Sequence, residues 1–435
     1  MAEKRFQVGT IHALGRDEGA GRRASTLSKS RTRLKYFYNF DVVEHPGTSL
    51  EGIEDDELVF LYAFPDEPLR AQLVERGNPV ICGFFFTPEG VFHTWQYERQ
   101  DFLRRCGVRV LAADDMSFLR KYALAAVLKR YMREKRVTAF ERAASFTWDE
   151  PVAKAGLAPF GVALEGLPVE KLLDYRRIHS DEVEEVTDRL LPAASRAISR
   201  DEVKEAVRLY WFLKRLPDNL AVTVKCLDKG VSAKLMDGEF LVTPCLAAAL
   251  LGEECVGFGG EGDWISAFSS FVVQYLTERP CFMTNVYPQA IHPAWGNHLQ
   301  VAASQLAENQ VVLCHCAYVG AVPPSLAASW RLVRKMDLAH QNMGVMVDAT
   351  LAPGRYSLAR FNTHVDAMSV FEGTVSETRD TGLYHGRVLA VLDLDYSSRA
   401  LSHHLVSHHQ IVFPGSADEL TELLEVAGIP AERIR

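Results

Sequence analysis

The sequence predicts a mixed α/β protein in which two regions built on parallel sheets precede a third, strand-rich region. Three observations predict it. Short apolar runs alternate with helical patterns over residues 1–150, and the same rhythm returns over 151–310. Beyond residue 310 helices thin out, and strand-like runs follow one another with glycines between them, the pattern of an antiparallel barrel or sandwich. The length of 435 residues exceeds one ordinary core and calls for two or three domains.

Taken in order, Leu58 to Ala63 reads as a strand, Glu67 to Arg76 as a helix and Pro79 to Phe86 as a strand. A helix over Tyr97 to Cys106, a strand over Val108 to Ala112 and a long helix over Ser117 to Lys135 complete the first region. In the second, Ser199 and Glu202 have capping-box spacing, and Val203, Ala206, Val207, Tyr210 and Leu213 form one helical stripe. Pro217 and Asp218 break that helix. Leu220 to Cys226 reads as a buried strand, Pro244 to Leu251 as a short helix, and Ile265 to Leu276 as a helix apolar on most sides. In the third region, Val311 to Cys316, Tyr356 to Phe361, Met368 to Thr378, Val388 to Leu394 and His408 to Phe413 read as strands. A last helix opens at a capping box, Ser416 to Glu419, buries Leu420, Leu423 and Leu424, and stops at Gly428.

Composition narrows the function classes. Apolar residues make up 48% and charged residues 24%, the balance of a globular protein, and a net charge of −8 offers no concentrated positive face for nucleic acid. The basic runs Arg22 to Lys35 and Arg120 to Arg136 are local, and the second reads as a solvated helix face. No apolar run is long enough to span a bilayer and none of signal-peptide type follows Met-Ala-Glu-Lys-Arg, so the expectation is a cytoplasmic protein without a membrane partner. Eight scattered cysteines, including Cys314 and Cys316 around His315, lack the spacing of a disulfide framework or a structural zinc site.

The sharpest motif is Gly257-Phe-Gly-Gly-Glu-Gly-Asp-Trp264, where glycines permit tight turning and two carboxylates precede a helix. The same letters fit the dinucleotide fingerprint G-x-G-x-x-G, with Glu278 near the distance required of its acidic residue. Against that reading, Gly252 to Cys255 makes a poor strand, and Glu261 inside the loop would repel a pyrophosphate. A second cluster, His403, His404, His408 and His409, offers imidazoles, and imidazole with carboxylate suits manganese or a similar divalent ion. The alternatives are a polar loop and a strand exposing one imidazole, and for His315 a satisfied core histidine.

Gly257 to Trp264 resembles the metal-carboxylate loop of L-arabinose isomerase, and the wider frame is similar to the L-fucose isomerase and L-arabinose isomerase superfamily. Ala221-Val-Thr-Val-Lys-Cys226 and Thr243-Pro-Cys-Leu246 resemble its lead-in strand and Pro-Cys element. Gly354 to Arg360 resembles a strand of its C-terminal barrel, and His408-His409-Gln-Ile-Val-Phe-Pro-Gly415 resembles its terminal histidine motif. The likeness runs from about residue 200 to the end. It implies two Rossmann-like (flavodoxin-like) α/β domains, 1–150 and 151–310, followed by an antiparallel β-barrel domain over 311–435. It also implies an aldose–ketose isomerase acting on a sugar, a divalent metal expected to be Mn²⁺, and a homo-oligomer, trimeric or hexameric.

Carried over by position, Glu261 falls on the family's first metal-binding carboxylate and the His408–His409 pair on its terminal histidine ligand, with His409 favoured. His315 lies where one branch has a further active-site histidine. The second carboxylate falls at Thr284 or, in better agreement, Asn285, and neither is acidic. Asn285 can offer a carbonyl oxygen to a metal or substrate but accepts no proton at neutral pH. The base must then be Glu261 with another group, Asp263 or His315, or the reaction has diverged; Asp263 has the alternative role of helix N-cap. Trp264 and Asn285 are the candidate substrate contacts, with His93, Trp95 and Arg99 as weaker ones after a strand end. Three functions follow: an isomerase on a pentose, deoxyhexose or modified sugar; a lyase or epimerase on an acidic or modified sugar; and a non-catalytic sugar-binding protein.

Overall fold

The computed structural model describes residues 8–15, 40–46, 49–82, 95–111, 116–140, 150–224, 242–254, 256–287, 306–314, 321–336, 342–380 and 388–435. The chain divides into two compact units, Met1–Arg133 with Glu422–Ile429, and Glu134–Thr421 with Pro430–Arg435.

In the first unit, strands β1 (Val8–Gly15), β2 (Phe40–Pro46), β3 (Leu58–Leu61) and β4 (Val80–Cys82) form a parallel sheet in the order β2-β1-β3-β4. Helix α1 (Glu67–Arg76) follows from local signals alone: the Asp66 side chain accepts from the Leu69 amide, a proline occupies the first turn, and Gly77 closes the helix at φ 69°. Helices α2 (Trp95–Arg105) and α3 (Met116–Met132) follow. Leu14, Val59, Leu61, Leu69, Leu73, Val80 and Leu103 make the core of this unit. The strand expected over Val108 to Ala112 reduces to a single bridge between Val110 and Val80, with Ala112 outside the described residues. The Val108 amide bonds the Leu103 carbonyl at the end of α2, and the Val110 amide turns back on Val108, so those donors are spent before they reach a neighbouring strand.

The second unit opens with β5 (Arg136–Phe140), α4 (Glu150–Leu157), β6 (Ala163–Leu167), α5 (Val169–Leu172), α6 (Asp181–Leu190), α7 (Arg200–Lys214) and β7 (Asn219–Val224). Helix α8 (Cys245–Leu251), β8 (Gly257–Gly260) and α9 (Trp264–Thr277) complete a second parallel sheet in the order β6-β5-β7-β8. The capping box at Ser199 and Glu202 forms, and the stripe from Val203 to Leu213 is buried. The long helix of the first region ends at Met132 rather than Lys135; Glu134 takes φ 64°, and Arg136 begins β5, a strand the periodicity concealed.

Six strands then close a barrel: β9 (Phe282–Tyr287), β10 (Gln310–Cys314), β13 (Gly354–Phe361), β14 (Met368–Asp380), β15 (Val388–Leu394) and β16 (His409–Pro414). Their order is β13-β16-β9-β10-β15-β14, every pair antiparallel, with β13 bonded to β14 to complete the ring. Closure leaves no edge among these six strands. Leu358 stands opposite Phe371 and Val412, and Val412 opposite Phe282, all in one buried cluster. The hairpin β11 (Ala327–Met336) and β12 (Asn342–Leu351), the helices α10 (Ser398–His404) and α11 (Ala417–Val426), and β17 (Ala431–Arg433), parallel to β14, complete the described chain.

Helix α9 joins the two layers of this unit. It contacts β5, β7 and β8 of the parallel sheet and β9, β13 and β16 of the barrel, so all fourteen of its residues are buried. That is why its sequence is apolar on most sides rather than striped. Phe268 stacks on Phe361 of β13 at 5.3 Å between ring centroids. Two of its buried hydroxyls are satisfied within the fold: Ser269 donates to the Ile265 carbonyl and accepts from the Phe361 amide, and Thr277 donates to the Val273 carbonyl. Among the described residues no helix is long and apolar enough to cross a membrane. Cys82, Cys245, Cys281 and Cys314 are buried and Cys106 is exposed, none of them in a disulfide.

Candidate metal centre

The glycine-rich motif forms the strand β8 and the turn into α9, and not the loop the sequence implied. Gly257 and Gly259 explain the difference: a Cβ on either would lie 2.2 Å from the Ala267 carbonyl oxygen or 2.1 Å from that of Asp263. Only bare backbone lets strand and helix approach this closely. The strand that a dinucleotide fingerprint demands is therefore present, but its first glycines lie inside it, and the helix start that would take a pyrophosphate carries Glu261 and Asp263.

The reversal between strand and helix is made by Glu261 at φ 58° and Gly262 at φ 79°. A left-handed conformation at a glutamate costs on the order of 1–2 kcal/mol that a glycine would spare. Its side chain is thereby set at the carboxyl end of β8. Two residues later Asp263 caps α9, one carboxylate oxygen accepting from the Ser266 amide at 3.0 Å and the other from the Ser266 hydroxyl at 2.9 Å.

The barrel supplies the other half. His409 opens β16 and is fully buried; its Nδ1 lies 2.8 Å from Asp263 Oδ2 and its Nε2 3.2 Å from Glu261 Oε2. Arg360, near the end of β13, donates to both oxygens of Asp263 at 2.8 and 3.2 Å and also bonds the Ser266 hydroxyl. The His408 ring centroid stands 4.1 Å from that of His409. Glu261, His408 and His409 each bring a ligand atom to within 4.8 Å of the others, a grouping able to hold a metal ion. Asn285 of β9 is the direct cross-strand partner of His409. Its amide nitrogen donates to the Tyr287 hydroxyl at 3.2 Å, while its buried carbonyl oxygen has no hydrogen-bond partner.

Electrostatics follow from this packing. Burial would raise the Asp263 pKa, but the Arg360 charge and the His409 hydrogen bond overcome it and hold the carboxyl far below the ordinary carboxylate range. Burial would lower His409, yet its bonds to Asp263 and Glu261 raise it to about 8. His408 is pushed down to about 4 by burial and by its neighbour's charge. His409 thus lies between two carboxylates that favour its protonated form, whereas His408 stays neutral.

Of the residues singled out in the sequence, Glu261, Asp263, His408, His409 and Asn285 come together. Trp264 is buried as the first residue of α9. His315 and His93 lie outside the described residues, as does the side chain of Trp95. Arg99, in the first unit, stands over the Phe64 ring at 5.5 Å. His403 and His404 are exposed on α10, where His404 bonds Glu432. Sequence reasoning missed Arg360 and Ser266. The signal for Arg360 was a cation set among the apolar residues Leu358, Ala359 and Phe361, since a buried arginine requires a carboxylate. Neither a family model nor a curated protein matches this chain.

Proposed function

We propose that the protein is a metal-dependent aldose–ketose isomerase acting on a pentose, a deoxyhexose or a modified sugar. The observation that carries this reading is the convergence of Glu261, His408 and His409 at the carboxyl end of a parallel strand, where α/β sheets bind ligands. The donor set fits a divalent cation: one carboxylate, imidazole nitrogens and the unpartnered buried carbonyl of Asn285 beside His409. We expect Mn²⁺, held by Glu261, His409 and His408 with Asn285 as a neutral oxygen donor. Bound there, the ion would supply Lewis acidity to the substrate's oxygens.

The remaining work falls to this chain. Glu261, 17% exposed at its side chain, takes a proton from one substrate carbon and returns it to the next through an enediol, while the hydroxyl proton passes from the oxygen that becomes the ketone to the former aldehyde oxygen. Asp263, whose oxygens are occupied by Arg360, Ser266 and His409, holds the site in place. By the family resemblance, His315 steadies a substrate hydroxyl.

Metal analysis and a panel of aldoses test the proposal. We expect a bound divalent ion, ketose formation from a pentose or deoxyhexose, and a loss of roughly 10³-fold or more in kcat/KM in Glu261→Gln, from loss of a general base and a ligand together. A metal-free protein whose activity survives that change would end the idea.

Asn285 favours a second reading, a lyase or epimerase of the same fold acting on an acidic or modified sugar, because it removes one negative charge from the site. Appearance of isomerase activity in Asn285→Asp, from none in the native protein, would select that reading. The Rossmann-like (flavodoxin-like) description of the two parallel sheets belongs to the same proposal and is supported by their shared strand order, the second strand outermost, then the first, third and fourth. So does a trimeric or hexameric assembly, which light scattering returning a monomer would remove.

A further inference from the structure

We infer that Asp263 and Arg360 are positioning residues that fix His409 as the Nδ1-protonated tautomer and so present its Nε2 to the metal. The inference rests on the metal reading of this site. Asp263 and Arg360 are all but excluded from solvent at their side chains, and His409 is fully so. An ionised carboxylate only accepts, so His409 Nδ1, 2.8 Å from Asp263 Oδ2, is the donor of that bond. A neutral imidazole has one N–H, which leaves the Nε2 lone pair directed at Glu261 Oε2, 3.2 Å away. Those two atoms face each other across a position that holds a proton when His409 is an imidazolium; a bound cation would take that proton's place, with His409 neutral and Nε2 its ligand atom.

Arg360 makes the clamp rigid. Its planar fork reaches both oxygens of Asp263, at 2.8 and 3.2 Å, and keeps a buried carboxylate ionised. Asp263 is itself fixed by the Ser266 amide and hydroxyl at the start of α9. The imidazole is therefore anchored at once to α9, to β13 through Arg360 and to its own strand β16. A carboxylate bonded to the far nitrogen of a metal-binding histidine orients the ring and raises its basicity. Neither residue needs to touch substrate for this role.

The test measures Mn²⁺ affinity calorimetrically, with electron spin-echo detection of histidine nitrogen coupled to bound Mn²⁺, in native protein, Asp263→Asn, Arg360→Lys and the double variant Asp263→Asn/Arg360→Gln. The double variant removes both buried charges together, so it serves if the single one does not fold. We expect Kd for Mn²⁺ to rise about 10–100-fold in Asp263→Asn or the double variant, with the nitrogen coupling weakened or lost, and a smaller rise in Arg360→Lys. Unchanged affinity and coupling in a folded variant would overturn the clamp while leaving the metal site standing. Native protein that binds no Mn²⁺ would overturn both.

Discussion

Glu372 shows how a single buried carboxylate ties distant parts of the second unit together. It accepts from the Ala417 amide at 3.0 Å and pairs with Arg433 at 2.8 Å and with Arg355. Burial raises its pKa, but the Arg355 and Ala417 hydrogen bonds and the two guanidinium charges outweigh burial and leave it below 4.5. Because the folded value is depressed, its contribution is present above 4.5 and is lost as pH falls through the lower, folded value. Glu372→Gln should therefore cost about 2 kcal/mol at pH 7, the scale of charge-assisted hydrogen bonds. Urea unfolding of native and variant protein should show that gap narrowing below pH 4.5. A gap constant down to pH 3 would show that the carboxylate's charge is not its cause. Glu261 illustrates the opposite use of a residue, since its left-handed backbone spends stability to place a carboxylate at the candidate centre.

Helix α9 is the element on which both layers of the second unit depend. Phe268 packs edge-on to Phe160 at 5.5 Å and stacks on Phe361, with no exposed surface. Phe268→Ala should cost ~4 kcal/mol, since the cavity opens where neither sheet nor barrel can collapse into it. A midpoint in urea shifted by less than a quarter of that cost would show that the helix does not hold the layers. Elements of this kind differ in how far the sequence betrays them. Helices α1 and α7 were legible because their caps, Asp66 with Gly77 and Ser199 with Glu202, are decided within a few residues. Strand β8 was hidden because close packing against α9 selects glycine, which carries no side-chain pattern to read. Strand β5 was hidden because its partners begin at Ala163 and Asn219, far along the chain from Arg136. At the site, Glu261 and the two histidines could be named from residue type and order. Arg360 could not, since what ties it to the candidate centre is an aspartate 97 residues away.

Across the second unit, the candidate centre joins a parallel sheet to a closed barrel, so a bound ion should report on the stability of both. At a free Mn²⁺ concentration of 100 times Kd, linkage adds about 2.7 kcal/mol to the folded form. Thermal unfolding followed with and without Mn²⁺ should show the unit melting later with the ion, and the shift should vanish in Glu261→Gln. An equal shift in both proteins would place the ion elsewhere. The two halves of the centre, Glu261 and His409, are separated by 148 residues. A ribosome adding 5–20 residues each second completes the glutamate turn on the order of ten seconds before the histidine strand exists. On the metal reading proposed above, the ion is loaded only after synthesis has passed the barrel's last strand, and a chain truncated before His408 would lack the histidine half of the candidate centre.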